Sequence, residues 1–392
     1  MLTRSILILS AVSLLTDISS EMLYPVMPLY LKAIGFGLVW IGLLEGFAEA
    51  VAGLSKGVAG QLSDSLDNRT GFVRAGYALS SISKPMLALS AFPAWIFLAR
   101  AVDRIGKGLR SAPRDALLAR QSIPEHRARI FGFHRAADTT GAVLGPLLSL
   151  IILHFLPGEY RLLFLIAFVP AFFGVVLTLF LKDARSVHTE NGTSLPGTVA
   201  LNPFRFLSYF KTAPNNYKRL AAGLIGFALF NSSDVFLILM MKHRGLSDQA
   251  ALLAYVFYNC IFALAAFPAG MIADRAGLKG TFIAGLVLFA CVYGGMAVET
   301  RDARWFFLLL ALYGMYAAAT EGIGKAWITR IVPVSEAGTA VGAVTALQSL
   351  AAIVASSAAG IIWETGGAQS VFVFSSACAL LTVLYFFTMV RE

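Results

Sequence analysis

Long apolar runs, separated by short polar breaks, dominate the chain. A helix needs about 20 mostly apolar residues to cross the hydrocarbon core of a bilayer. Runs of that length recur about a dozen times along the sequence. The pattern therefore predicts an all-α protein with twelve membrane-spanning helices, at residues 5–31, 38–62, 72–92, 94–118, 130–155, 161–181, 219–242, 250–273, 280–299, 304–330, 338–363 and 368–390.

Composition and charge support this interpretation. Of the 392 residues, 58% are hydrophobic and only 14% are charged, whereas soluble domains carry about 25% charged residues. The net charge of +9 comes from basic residues between the apolar runs, so membrane topology explains it better than nucleic-acid binding does. Lys and Arg concentrate in the loops that would share a side with the N-terminus. The positive-inside rule then predicts a multi-pass protein of the plasma (inner) membrane with both termini in the cytoplasm.

A polar stretch at residues 182–218 divides the chain into two predicted six-helix bundles, 1–181 and 219–392, joined by a cytoplasmic linker. The second part of this linker reads FRFLSYF, which is typical of a short amphipathic helix at a membrane surface. The two halves are related, because the same loop pattern occurs twice at a spacing of 210 residues: Gly60, Asp64 and Arg69 match Gly270, Asp274 and Lys279. Such a repeat is typical of transporters.

Two carboxylates stand out in the first apolar run. Asp17 and Glu21 are four residues apart and share one face of a helix. A charge at the bilayer centre costs roughly 2.5–3.5 kcal/mol on insertion scales. The two groups must therefore be paired, protonated or in contact with water, and a carboxylate pair that gains and loses a proton suits a proton-coupled transporter. We predict that they carry the proton, with Arg104 and Lys107 as counter-charges.

The other charges inside the spans concentrate in spans four, seven and ten, and we predict that they line a central cavity. Glu321 and Lys325 could instead neutralise each other, since they are four residues apart. Arg104 could be a structural anchor for Asp17 or Glu21. The predicted cavity residues are Tyr24, Lys107, Asn231, Asp234, Glu321 and Lys325.

At its repeated loops the chain resembles the major facilitator superfamily, whose loop after the second helix reads G-x-L-x-D-R-x-G-R-[KR]. The first copy keeps Gly60, Leu62, Asp64 and Arg69 but has Ser65 and Asn68 where the pattern differs, and the second copy fits better. The resemblance implies twelve helices in two pseudo-symmetric bundles. The loop residues should act as gates that latch one conformation: Gly60, Asp64, Arg69, Gly270, Asp274, Arg275 and Lys279.

Two further motifs extend the resemblance. RIGKGLRSA in the fourth span is similar to R-x-x-Q-G-x-G-x-A, with Lys107 in place of the Gln and Arg110 in place of the second Gly. GAVLGP in the fifth span, with Gly141, Gly145 and Pro146, is similar to an element of proton-driven exporters. Small residues also let membrane helices pack closely whatever the protein does, so helix packing alone is an alternative.

The sequence thus predicts a monomeric secondary transporter that exports a small organic molecule in exchange for protons, by alternating access. Proton-coupled import of a nutrient, organic anion or metal chelate is the alternative. The sequence has no G-x-x-x-x-G-K-[ST], HExxH or GxSxG pattern, so ATP hydrolysis and a membrane-embedded enzyme are disfavoured. We expect no cofactor and no bound metal, and the expected partners are the substrate, protons and the lipid bilayer.

Overall fold

The structure is a computed structural model that describes residues 2–390 apart from 25, 37 and 182–204. Several helices begin at a side chain that accepts a hydrogen bond from the first turn, among them Thr3, Asn68, Ser247 and Asp302. The described α-helices are α1 (Arg4–Leu23), α2 (Met27–Ala33), α3 (Leu38–Ser65), α4 (Arg69–Leu89), α5 (Pro93–Arg120), α6 (Arg127–Phe155), α7 (Tyr160–Thr178), α8 (Tyr209–Thr212), α9 (Asn215–Ala228), α10 (Val235–His243), α11 (Asp248–Ala276), α12 (Leu278–Met296), α13 (Ala303–Ile331), α14 (Ala337–Gly366) and α15 (Ala368–Met389).

The predicted twelve-helix fold is confirmed. Ten spans are single helices, whereas the first span is divided into α1 and α2 and the seventh into α9 and α10. Within the described residues, eight helices are long and apolar enough to cross a membrane. The remaining spans carry charged side chains along their length or, in the seventh, are divided into two short helices.

The helix order repeats with an offset of 210 residues. Helices α5 and α13 begin at 93 and 303, and α6 and α14 begin at 127 and 337. Even the short 3-10 turns that precede them, Pro124–His126 and Val334–Glu336, keep this offset. The two halves are therefore structural copies, and the described residues of the first half end at 181.

Contacts between the halves follow the same repeat. Helix α3 packs on α14, and α6 packs on α11. A Cβ added to Gly342 would lie 2.7 Å from the carbonyl oxygen of Lys56, and one added to Gly53 would lie 2.9 Å from the Cβ of Ser349. Because these glycines have no side chain, the backbones of the two halves approach each other closely here.

Both ends of the described chain lie at one face of the bundle, which we call the near face. It holds the start of α1 and the end of α15, and the opposite face is called the far face. Lys279, at the start of α12, donates hydrogen bonds to the carbonyls of Phe387 and Val390 at the end of α15. Helices α1 and α6 run parallel away from this face, with the Ser10 hydroxyl 3.4 Å from the His134 ring.

Most of the predicted linker, 182–204, lies outside the described residues. The rest of its FRFLSYF segment packs on the protein: Phe206 is 3% exposed and lies against Ala343 and Ala346 of α14. The Tyr209 hydroxyl donates a 2.8 Å hydrogen bond to Glu336. Burial and this carboxylate raise the pKa of Tyr209, so the phenol keeps its proton. This segment therefore docks at the near face, where a membrane-surface position was predicted.

Candidate functional site

A cavity of about 590 Å³ lies between the two halves. Its N-terminal side, which we call the charged wall, is formed by α1, α3, α5 and α6. Ten of the thirteen residues that line this wall are charged: Asp17, Glu21, Glu49, Lys56, Lys107, Arg110, Arg114, Asp115, Arg135 and Asp138. The buried charges of these helices thus face a shared hollow, as charges inside a membrane generally do.

The opposite side of the cavity, which we call the aromatic wall, comes from the C-terminal half. Among its twenty lining residues only Asp234, Glu321 and Lys325 are charged. Six aromatic side chains belong to this wall: Phe227, Tyr255, Tyr258, Phe262, Phe282 and Tyr316. Among the described residues, the lining of the charged wall has no aromatic side chain. The two copies of the repeat therefore present different side chains to the cavity: mostly charged ones from the N-terminal half, and mostly uncharged and aromatic ones from the C-terminal half.

Six side chains form a continuous chain of ion pairs across the cavity, which we call the charge network. It begins at Lys325, whose Nζ lies 2.8 Å from Asp115 Oδ2, and Asp115 in turn contacts Arg114 at 3.2 Å. Arg114 lies 3.8 Å from Asp138, which also binds Arg135 at 2.7 Å. Arg135 then pairs with Glu321. The network starts and ends on α13, and its three acidic and three basic groups balance.

Glu321 and Lys325 thus each have a partner in the other half. The alternative that they neutralise each other along the helix is not what the structure shows, because Arg135 and Asp115 reach them from α6 and α5. A pairing along one helix can be anticipated from an i,i+4 spacing. A pairing across two domains has no such signal.

The predicted proton carriers both line the cavity. Asp17 lies 3.9 Å from Arg110 and also interacts with the carboxyl group of Asp138. Asp138 accepts a 2.5 Å hydrogen bond from the Ser13 hydroxyl. Asp17 and Asp138 are therefore neighbouring acidic groups, which we call the acid pair, and Asp138 is an inner member of the charge network.

Helix α6 approaches α1 closely at these carboxylates because of two glycines. A Cβ on Gly141 would lie 2.8 Å from the Asp17 Cβ, and one on Gly145 would lie 2.8 Å from the Glu21 Cβ. Pro146 follows, buried in α6. The GAVLGP segment thus lets α6 pack closely against α1 at these two carboxylates.

Lys107 lines the cavity, whereas Arg104 and Tyr24 do not belong to its described lining. Arg104 lies 3.6 Å from Glu49 of α3 and also interacts electrostatically with Glu21. Its role as a counter-charge to the proton carriers stays a prediction. Tyr24 is 51% exposed at the end of α1, because the first span breaks there.

Asn231 and Asp234 lie in the break of the seventh span and line the cavity. Asp234 accepts hydrogen bonds from the hydroxyls of Tyr258 at 2.7 Å and Tyr313 at 2.6 Å. Asn231 donates a hydrogen bond to the Tyr316 hydroxyl at 3.2 Å. The break thus binds hydroxyl groups of two helices, α11 and α13, and it places the amide and the carboxylate in the aromatic wall.

At the near face, Asp64 connects the two halves. It accepts hydrogen bonds from the backbone N–H of Thr339 at 2.6 Å and from the Thr339 hydroxyl at 2.9 Å. Arg69 binds Asp64 at 2.7 Å and also donates to the carbonyl of Val334 at 2.6 Å. A carboxylate at the N-terminus of a helix is stabilised by the free N–H groups there. Asp64 therefore caps α14 from the other half.

Asp274 forms the equivalent contact in the opposite direction. It accepts hydrogen bonds from the backbone N–H of Ala128 at 3.0 Å and of Arg129 at 3.2 Å, and it pairs with the Arg129 side chain at 2.7 Å. Arg275 is exposed at the end of α11. We call the Asp64–Thr339 and Asp274–Arg129 contacts the two latches. Their partners are also 210 residues apart.

The two loop glycines lie one turn before the latches. Gly60 and Gly270 lie against the backbone carbonyls of Gly338 and Ala128, respectively. A side chain at either position would push the halves apart. Lys279, by contrast, binds the end of α15 in its own half, although Arg69 at the matching position reaches across.

Sequence reasoning missed several members of this site. Asp115, Asp138 and Arg135 were visible as charges inside spans, but their role as links between halves depends on which helix faces meet. Lys56 belongs to none of the sequence motifs. Its Nζ donates a 2.9 Å hydrogen bond to the hydroxyl of Ser349 in the other half. Within the described part of the chain, no group of three or more His, Cys, Asp or Glu side chains is placed to hold a metal ion.

Two pseudo-symmetric bundles, a charged cavity between them and mirrored contacts at one face define a membrane transporter. The chain belongs to the Major Facilitator Superfamily, whose family model matches residues 9–262 and 220–392. It is 30% identical over 389 residues to an uncharacterised MFS-type transporter of Methanocaldococcus jannaschii, covering 98% of this chain and 94% of that one. A multidrug resistance protein MdtH of Sodalis glossinidius is 23% identical over 298 residues, with coverage of 74% and 69%.

Among solved structures, the human organic anion transporter MFSD10 superposes with a TM-score of 0.81 at 19% identity, covering 98% of this chain and 99% of that one. This likeness shows a shared fold. The protein is accordingly a multi-pass membrane transporter of a small-molecule substrate.

Proposed function

We propose that this protein is a proton-coupled exporter of a small organic molecule that works by alternating access. The observation that carries the proposal is the cavity on the pseudo-twofold axis, lined by both halves and closed toward the near face by two equivalent latches. In the proposed orientation the near face and both termini are cytoplasmic, the membrane is the plasma (inner) membrane, and the protein acts as a monomer.

Alternating access requires contacts that form in one state and break in the other. The two latches suit this role, because each joins a carboxylate of one half to a helix N-terminus of the other. Rocking the halves apart at the near face would break both latches together. The close backbone contacts of α3 with α14, and of α6 with α11, would separate in the same movement.

The proton carriers are proposed to be Asp17 and Glu21. Asp17 interacts with Asp138, and this acid pair is joined to the charge network through Arg114 and Arg135. A change in proton occupancy would therefore change the charge balance of groups that hold α13 to the other half. This link between a proton site and an inter-half contact supports coupling of proton movement to rocking.

Export is favoured by the relationship to a protein named for multidrug resistance. It is also favoured by the two glycines of α6 that pack closely against Asp17 and Glu21 of α1. The cations of the charged wall also suit import of an organic anion, which is the second candidate. The direction is tested by cellular accumulation of a transported compound: export lowers it and import raises it when the protein is present.

The decisive experiment uses proteoliposomes with an imposed pH gradient, a panel of organic compounds and a pH-sensitive dye inside. Compound-dependent proton flux is expected with the unaltered protein and should be lost in Glu21→Gln. Glu364→Gln, on an exposed position of α14, is the matched control and should behave like the unaltered protein. If Glu21→Gln retains full flux while Asp17→Asn loses it, the carrier is Asp17. Full flux in both would overturn the assignment.

A further inference from the structure

We infer that the cavity binds an organic anion with an aromatic body, whose acid group is held by Lys56, Lys107 and Arg110. The aromatic body would lie against the aromatic wall. This inference rests on the proposed transport function and names the class of substrate for the same cavity.

Two lysines of the charged wall form no ion pair within the described part of the chain. The ion pairs of the charge network join three acidic and three basic groups, and neither Lys56 nor Lys107 is among them. Lys56 donates a hydrogen bond to the Ser349 hydroxyl at 2.9 Å, and it interacts electrostatically with Glu49 without forming an ion pair.

Arg110 adds a third donor. Its side chain is 4% exposed, and its Nη1 atom has no hydrogen-bond partner. The guanidinium stacks over the Tyr77 ring at 4.5 Å from the ring centroid, which fixes its plane. Within the described residues its one ion pair, with Asp17, is long at 3.9 Å. A buried donor without a partner is unfavourable, and a bound anion would supply that partner.

The backbone brings two of these cations together. Gly108 follows Lys107 and lies against α3, where an added Cβ would be 3.1 Å from the backbone nitrogen of Lys56. The close approach of α3 and α5 at this glycine makes Lys56 and Lys107 electrostatic neighbours. Two ammonium groups held close in a low-dielectric cavity favour an anion between them.

The acidic groups near this site are shared among several cations. Glu49 lies 3.6 Å from Arg104 and also interacts electrostatically with Lys56 and Lys107. Asp17 and Glu21 interact with Lys107 as well. In the proposed function Glu21 carries the proton, so in its protonated form Lys107 loses one of its acidic neighbours.

The aromatic wall determines the rest of the ligand. Tyr255 and Tyr258 form an edge-to-face pair with centroids 5.4 Å apart, and Tyr258 stands at the same distance from Tyr313. Such rings bind planar apolar groups by offset or edge contacts. Since these aromatic side chains face the wall that carries Lys56, Lys107 and Arg110, the cavity fits a molecule with an aromatic ring at one end and an acid at the other.

The test measures binding to the full chain purified in detergent, by calorimetry against empty-micelle blanks. The probes are naphthalene-2-carboxylate, its neutral carboxamide and the cation 2-naphthylmethylammonium. The carboxylate is expected to bind more tightly than the amide or the cation. Lys107→Gln and Lys56→Gln should each weaken carboxylate binding about tenfold or more, as expected for the loss of a charge-assisted hydrogen bond. Tyr255→Leu should weaken it as well.

Controls separate binding from folding and from coupling. Lys211→Gln, at an exposed lysine outside the described lining of the cavity, should leave the affinity unchanged, and Lys107→Arg should retain most of it. Glu21→Gln should bind the carboxylate at least as tightly as the unaltered protein even though it loses proton coupling, so the two proposals fail independently. Equal binding of all three probes, tighter binding of the cation, or no carboxylate binding at millimolar concentration would overturn the inference.

Discussion

Asp115 and Lys325 occupy equivalent positions in the two halves, 210 residues apart, and they bind each other at 2.8 Å. Two equivalent residues can touch directly only where the pseudo-twofold axis passes between them. This ion pair therefore marks the axis, and it lies within the lining of the cavity. A movement of one half against the other pivots around this point.

A double-mutant cycle on this pair is the first test. Asp115→Asn removes the carboxylate that Lys325 and Arg114 share and leaves Arg114 with Asp138, whereas Lys325→Gln leaves Asp115 with Arg114. We expect Asp115→Asn to lower thermal stability more. The double variant should lose less than the sum of the singles, with a coupling energy of about 1–3 kcal/mol. Strict additivity in unfolding measurements would contradict a direct interaction.

The latches should control the opening of the near face. We expect Asp64→Asn and Asp274→Asn each to shift the population toward a state that is open there, and the double variant to shift it further. Spin labels at Leu66 and Ser335, which are exposed on opposite halves, report this as a longer distance distribution.

The control for the latches is Asp302→Asn. Asp302 also caps a helix, but it accepts its hydrogen bond from Arg304 of the same helix. It should leave the label distance unchanged. If the Asp64 and Asp274 variants also leave the distance unchanged, these contacts do not hold the near face closed.

Substitution of Gly141 should disturb the position of Asp17, because this glycine lets α6 pack closely against α1 there. An added methyl group would lie 2.8 Å from the Leu14 carbonyl and 2.9 Å from the Ile18 nitrogen, so α6 must move away from α1. Gly141→Ala is expected to lower the melting temperature and to reduce proton-driven transport. Gly360→Ala, in α14, meets no atom within 4 Å and should be neutral. Normal transport by Gly141→Ala would show that the close approach is dispensable.

Asp234 should stabilise the broken seventh span through its two tyrosines. Tyr258→Phe and Tyr313→Phe each remove one hydrogen bond to a carboxylate, for an expected loss of about 1.5–3 kcal/mol each. Asp234→Ala removes both bonds and should lower thermal stability more than either single change. Unfolding curves of the three variants in the same detergent give the comparison. A smaller effect of Asp234→Ala would show that the hydroxyls find other partners.

The sequence predicted the fold well because its signal is local. Run length gives each span, and the loop repeat gives the relation between halves. Even so, the breaks of the first and seventh spans were missed, since a run that is apolar on average does not reveal where its helix is interrupted. The seventh span breaks at Asn231–Asp234, four polar residues within a run that is apolar on average.

The site was predicted only in part, for a related reason. Asp17, Glu21 and Lys107 could be placed in the cavity because a charge within a span needs a wet or paired environment. Which charge pairs with which depends on contacts between helices far apart in sequence. The contacts of Arg104 with Glu49 and of Glu321 with Arg135 were therefore not predicted.

Helix α5 has a consequence for how the protein is made. Its Asp103 binds Lys84 of α4 at 2.7 Å, its Arg104 meets Glu49 of α3, and its Arg110 meets Asp17 of α1. Each of these charges would cost about 2.5–3.5 kcal/mol if it entered lipid alone. During biosynthesis, then, this helix gains a stable place in the bilayer only together with its three neighbours, and the first half must assemble as a unit at the translocon before it is released into the membrane.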